Sequence, residues 1–380
     1  MKLLIANPKD QETNLDLLQF YQSFELQGQV NFKIRRLPDF FSYYATQSNK
    51  FRTYILRDEN TNKIEACASF IITPALLNGE IVPIAYATDL RVSASRKAIT
   101  TWGKHFLPVL NEVKEQLGAQ HVFSAINLTD PGAYNTFIRP RNIKRPMPRY
   151  FLYRKFQLVG LHGRFPFSSP PLPQLRIRAC NENYLEQLSY YLQHRTQYRP
   201  FSTVWNKESI LQKIQSNSGY SLNNILIAFD SHENIVGCLG HWNPSPNQIW
   251  IPTTYTSMTA HNFRQFLKFG KYLGWTRPIA KPVASTGKEN QLNFRFASIL
   301  HADNEDIFES LLWVTYDSLP ANEFLTYAHC NYDYRLRPPE NWVYSTTPYA
   351  LYSVIPPTSE IPTFLHPSQA LNPEINLHFV

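Results

Sequence analysis

The sequence predicts two mixed α/β sheets on one chain of 380 residues. Three observations lead there. The same order of strands and helices occurs twice. A proline-rich stretch, "GRFPFSSPPLPQL" (163–175), separates the two copies, and such composition favours extended, semi-rigid backbone. The chain is also 43% apolar and 14% aromatic, which is ample for cores of its size. We therefore expect a first domain over 1–162, a linker over 163–175 and a second domain over 176–380, with an insert at 243–292.

The first half opens on a short strand, "KLLIA", followed by helical "NLDLLQFYQSF" and a second helix in "LPDFFSYYATQS". Two strands then pair around the turn "ENTN", namely "FRTYILRD" and "KIEACASFIITPALL". Next comes a strand through Leu90 and Val92. A helix from about 99 to 117 follows, because Ile99, Trp102, Phe106, Val109 and Val113 recur at helical spacing. The strand "HVFSAIN", a short helix "DPGAYNTFI" and a terminal hairpin "RYFLYRKFQLVGL" complete it.

After the prolines the order recurs. "LRIRAC" reads as a strand, "NYLEQLSYYLQHRT" and "KESILQKIQS" as helices, and "NNILIAFDS" with "ENIVGCLGHW" as a hairpin. The insert 243–292 carries the helical "AHNFRQFLKFGKYLGW" and reads as a lid, an acceptor loop or a packed surface excursion. Strand "NFRFASILHA", helix "EDIFESLLWVTYDSL" and strands "EFLTYAHC" and "YALYSVI" close the chain. The halves share order, not residues.

Four widely spaced cysteines make neither a zinc knuckle nor a disulfide framework. With a start too short for a signal peptide or a membrane span, we expect a cytoplasmic protein with no membrane association and no metal. A net charge of +8 suits an anionic ligand such as coenzyme A or RNA, and equally an ordinary solvated surface.

The stretches "YATDLRVSASRKAITTWGKHF" (86–106) and "SAINLTDPGAYNTFI" (124–138) resemble the GNAT N-acetyltransferase superfamily. "FASILHADNEDIFESLLWVTY" (296–316) sits at the corresponding strand-loop-helix of the second half. The resemblance implies two GNAT-like domains in tandem and direct transfer of an acyl group from acetyl-CoA or another acyl-CoA to a small-molecule or peptide amine. It assigns the pantetheine arm to the backbone of Leu90, Arg91 and Val92 and to Asn127. It assigns the pyrophosphate to a loop running from Arg96 and Lys97 through Ala98, Ile99 and Thr100. Amides at a helix start favour such an anion.

Asp89 matches an acidic position of the family and becomes the expected base; its other reading is a capping or surface carboxylate. The loop departs from the family in lacking glycine, with Ala98 and Thr100 at the glycine places and Ser95 at the Arg/Gln place. The usual tyrosine, the acid for the leaving thiolate, is Phe137 here, and Tyr134 is the substitute one turn away. In the second half Asp303, Glu305 and Asp306 crowd the helix start, where they favour the helix themselves and repel pyrophosphate. That half reads as a non-binding copy that covers the first sheet or shapes an acceptor pocket.

Two other functions stay open. A tandem fold without glycines and tyrosine can serve as a catalytically silent binding module. "RPRNIKRPMPRYFLYRK" (139–155) combines seven basic residues with three aromatics, a composition that can hold RNA. It keeps tRNA-dependent aminoacyl transfer of the Fem type in view.

Overall fold

The computed structural model describes residues 1–133, 135, 138, 147–217, 219–366 and 371–377. The first half holds β1 (Lys2–Ile5), α1 (Gln11–Gln22), β2 (Val30–Arg36), the single turn α2 (Ser42–Ala45) and β3 (Phe51–Arg57). It continues with β4 (Ile64–Leu77), β5 (Glu80–Val92), α3 (Arg96–Leu117), β6 (His121–Asn127), the short α4 (Pro131–Ala133) and β7 (Arg149–Arg164). The second half begins with β8 (Arg176–Ala179), α5 (Leu185–Thr196), α6 (Lys207–Ser216), β9 (Ile225–Phe229), β10 (Ile235–Trp242) and β11 (Gln248–Tyr255). It ends with α7 (Met258–Tyr272), α8 (Val283–Thr286), β12 (Phe294–Ala302), α9 (Glu305–Ser318), β13 (Phe324–Cys330) and β14 (Trp342–Ile355).

Among the described residues these strands build one mixed twelve-stranded sheet in the order β1-β3-β4-β5-β6-β14-β7-β13-β12-β10-β9-β8. The two halves meet by exchanging their last strands. β7 pairs with β14 from Arg164↔Trp342 to Arg149↔Ile355. The far end of β7 pairs with β13 in the second half, and the far end of β14 pairs with β6 in the first. "RYFLYRKFQLVGL" is therefore one long strand rather than the expected hairpin. Its partner runs alongside for its full length, so no turn is needed within it. Residues 165–175 follow it without helix or strand.

Helices cover both faces. α3 lays Ala98, Trp102, Phe106, Val109, Leu110, Val113 and Leu117 on β3, β4 and β5. Its start is capped by Ser95, whose Oγ accepts the Ala98 N–H at 3.0 Å, and Gly118 ends it at φ 72°. Ile99, expected on the buried face, is 56% exposed. The stripe runs through Ala98, one full turn before Trp102, and turns Ile99 outward. In the second half α9 packs Phe308, Leu311 and Leu312 on the same side as β13 residues Leu325 and Tyr327.

The expected helix in "LPDFFSYYATQS" shrinks to one turn. Phe40, Phe41, Tyr43 and Tyr44 bury against the core from a compact loop instead. A two-stranded ribbon of β2 and β11 has no counterpart in the sequence reading. β2 alternates Val30, Phe32 and Ile34 with polar residues, a local strand signal that the sequence reading passed over, and β11 contains Pro252; each finds its hydrogen-bond partner in the other half. The ribbon ties the insert 243–292 to the first half.

Candidate active site

β5 and β6 run parallel for only three residue pairs, Ile84↔His121 to Tyr86↔Phe123. Beyond Tyr86 the strands diverge, and among the described residues the β6-facing backbone of residues 87–92 has no strand partner. A bulge opposite Cys67 and Ser69 begins the divergence. At its centre Asp89 adopts φ 54°, a left-handed conformation that Asp tolerates better than most side chains.

The surroundings of Asp89 explain its place. The carboxylate is buried and accepts hydrogen bonds from Tyr21 (2.7 Å) and Tyr44, and it pairs with Arg36 at 2.7 Å. Burial alone would push its carboxyl up. Arg36, Arg91 and the hydroxyls of Tyr44 and Tyr21 outweigh that and hold it below its ordinary value. Arg36 is itself enclosed by rings, 3.9 Å from the centre of Tyr43 and 5.3 Å from that of Tyr44. An anion held this tightly is a poor proton acceptor. Arg36 and its tyrosines, carried on the unforeseen ribbon and the compact loop, are the site residues that sequence reasoning missed. The paired tyrosines in "FFSYYA" were the visible signal.

The remaining expected residues divide by face. Leu90 and Val92 pack toward α3. Arg91 takes the opposite face, 5.4 Å over the Tyr21 ring, and its Nη1 donates to the Leu90 carbonyl at 3.0 Å. At the start of α3, Arg96 is exposed and has no ion-pair partner among the described residues. Lys97 Nζ lies 3.1 Å from Asp58. Ala98 is buried and its amide serves the cap, which leaves the Arg96 and Lys97 amides at the open end of the helix. Ile99 is exposed and Thr100 half-buried beside them. Asn127 ends β6, and its Oδ1 accepts from the N–H and Oγ1 of Thr129 at 2.9 and 2.8 Å. Tyr134 and Phe137 lie outside the described residues.

Asn127 and Thr129 also line a cavity of 370 Å³ that runs across the middle of the sheet beneath the β2–β11 ribbon and α7. Its walls are mainly apolar, with Phe32, Trp250, Phe263, Phe294, Phe296 and Phe324 prominent. Polar groups interrupt that surface, His162 and Tyr349 among them. His162 Nε2 lies 2.8 Å from Ser345 Oγ, and burial pushes the imidazole down to about 3, so it is neutral. Tyr349, delivered by the exchanged strand β14, stands opposite Asn127 and stacks on Phe156 at 5.5 Å. Burial and Asp130 push its hydroxyl up and Arg91 opposes them, with the balance upward, so it stays protonated. Sequence reasoning could not find Tyr349, because strand exchange alone brings residue 349 to this site.

β12 repeats the bulge, with Ile299 at φ 50°, and pairs with β13 for only three residues before diverging. At the start of α9 Asn304 caps the Ile307 amide, and Asp303 accepts from Tyr191 at 2.9 Å and pairs with Arg195. Among the described residues no group of three His, Cys, Asp or Glu could hold a metal ion, and no helix is long and apolar enough to cross a membrane.

No family model matches the sequence, and no curated protein matches it. Solved structures do. Saccharomyces cerevisiae N-myristoyltransferase with bound myristoyl-CoA superposes with a TM-score of 0.52 at 9% identity, over 93% of this chain and 82% of that one. The GCN5-related glucosamine N-acetyltransferase region of a fungal multi-domain GH3 β-N-acetylglucosaminidase gives 0.53 at 10% identity, over 93% of this chain and 38% of that one. The chain thus has a tandem GNAT fold.

Proposed function

We propose that the chain is an acyl-CoA-dependent N-acyltransferase whose donor lies between β5 and β6 in the first half. The observation that carries this reading is the divergence itself. A bulged strand with unpaired amides stands directly before an open, capped helix start, and structures of the same fold bind acyl-CoA or are N-acetyltransferases by their descriptions. Residues 87–92 would hydrogen-bond the pantetheine arm and polarise the thioester oxygen. The Arg96 and Lys97 amides, with the Arg96 guanidinium, would take the pyrophosphate.

The acceptor, an amine with an apolar body, would occupy the cavity under the ribbon. Its neutral nitrogen attacks the thioester carbon, the C–N bond forms, and the C–S bond breaks. Tyr349 supplies a proton to the leaving thiolate, and the proton that the nitrogen loses as the amide forms passes through water to restore the Tyr349 hydroxyl. Asp89 takes no proton in this scheme; its charge fixes the bulge and positions Arg91. Acetyl-CoA is the donor to try first.

The test is thiol release from acetyl-CoA and longer acyl-CoA thioesters in the presence of hydrophobic amines, with products identified by mass. Amine-dependent release and an acylated amine are the expected results. Binding of CoA without turnover across the amine set would mark the fold as a silent binding module.

A further inference from the structure

The second half carries a cavity of 560 Å³ where β12 and β13 have diverged. It is lined by Arg195, Arg199 and Arg335, by His301 and by one carboxylate, Asp333. His301 stands opposite Cys238 on the bulge, as Arg91 stands opposite Cys67 in the first half. The cavity is therefore the second copy of the gap assigned above to the acyl donor, with a different lining.

Its charge is unbalanced. Arg195 is paired with Asp303, and Arg199 lies 3.5 Å from Asp333. Arg335 is exposed and has no partner among these ion pairs. His301 is 5% exposed, and its Nε2 has no hydrogen-bond partner in the described structure. Burial, with Arg199, Arg195 and Lys213 nearby, holds that imidazole neutral. A neutral ring among three guanidinium groups can donate a hydrogen bond to an anion without adding charge of its own.

Aromatic surface surrounds the opening. Tyr198, Tyr332 and Tyr334 line it and are 76%, 74% and 72% exposed. Tyr332 also holds φ 70°, a conformation rare for a bulky residue and commoner at ligand sites. Guanidinium groups that bind phosphate bidentately, beside rings on which a flat base can stack, suit one chemical class.

We propose that the cavity of the second half binds a phosphorylated nucleotide, its phosphates on Arg199 and Arg335 and its base against the tyrosines. The acidic start of α9 takes no part, since Asp303, Glu305 and Asp306 would repel the phosphates there. The nucleotide has two possible sources, a free nucleotide or the nucleotide portion of CoA, and the site is independent of acyl transfer in the first half.

Calorimetric titration of ATP and of CoA into the full chain distinguishes them, with Arg335→Glu, Tyr198→Ala and Arg96→Glu/Lys97→Glu as variants. The first two positions are exposed, so both variants keep the fold, as a thermal melt would verify. ATP binding weakened tenfold or more by Arg335→Glu and about fivefold by Tyr198→Ala, yet unchanged in the Arg96/Lys97 variant, supports a free nucleotide. CoA binding that persists in the Arg96→Glu/Lys97→Glu chain and is weakened tenfold or more when Arg335→Glu is added, with no binding of ATP, supports the nucleotide portion of CoA. In the Arg96→Glu/Lys97→Glu chain, absence of binding by both ATP and CoA, or binding that a folded chain with Arg335→Glu added leaves unchanged, overturns the proposal whatever happens at the first site.

Discussion

Asp89 and Ile299 occupy equivalent places in the two halves. Both are non-glycine residues in the left-handed region, at φ 54° and 50°, and both sit in the bulge that precedes a helix. Each presents its carbonyl to a buried thiol, Cys67 Sγ at 3.5 Å from Asp89 and Cys238 Sγ at 3.4 Å from Ile299. The backbone device is duplicated while the chemistry is not. One copy carries a charge clamped by Arg36 and two tyrosines, and the other carries a buried aliphatic chain.

Asp89→Asn should therefore destabilise the fold strongly. Arg36 and Asp89 are 3% and 7% exposed in their side chains, and removing one charge strands the other in a poorly solvated place. The expected cost is about 3–5 kcal/mol in denaturant unfolding. The pH dependence has a fixed sign. The folded Asp89 value lies below the unfolded one, so its contribution is complete above about pH 4 and is lost as pH falls through the folded value. Asp89→Asn should remove that part of the acid sensitivity.

Tyr349→Phe should leave CoA binding unchanged and lower kcat by about 10². Single-turnover kinetics beside a CoA titration would separate the two effects. An equal loss of CoA affinity would mean that the hydroxyl holds the donor rather than serving the thiolate.

Phe263→Lys should weaken the acceptor alone. Phe263 reaches the apolar cavity from α7 and meets the His162 ring edge-on at 5.6 Å. Replacing it with a charge should raise the KM of a hydrophobic amine about tenfold or more, since burying such a side chain contributes roughly 1.5–3 kcal/mol. The KM for acyl-CoA should not move.

The cysteines should be inert in the folded chain. All four are buried. Burial leads in pushing Cys67 and Cys330 up to about 12 and Cys180 up to about 11, and it drives Cys238 up as well. Thiolate is the reactive form, so a thiol reagent should titrate none quickly in buffer and all four in denaturant.

Much of the fold was legible because the signals were local. The helical spacing from Trp102 to Val113 and the acidic start of α9 each announce an element without help from distant residues. The repeat of element order announced the tandem arrangement. What escaped was non-local. The pairing of β2 with β11 joins the two halves and no local signal announces it, and β7 is one strand only because β14 accompanies it. The site divides the same way. Asp89 and the start of α3 lie in one continuous stretch and could be read together as a candidate site. Arg36 and Tyr349 reach the site through the ribbon and through strand exchange, and no spacing in the sequence connects residue 349 with residue 91. Ile99 shows the limit of periodicity, since a stripe read one residue off its true line turns an exposed side chain inward.

The measurement to make first is calorimetric titration of acetyl-CoA and free CoA into the full chain and into Arg96→Glu/Lys97→Glu. A donor held between β5 and β6 predicts micromolar binding that the double substitution weakens at least tenfold, with the Arg335→Glu chain retaining it. Absence of heat and of thermal stabilisation up to millimolar CoA would contradict the acyltransferase reading of the first half.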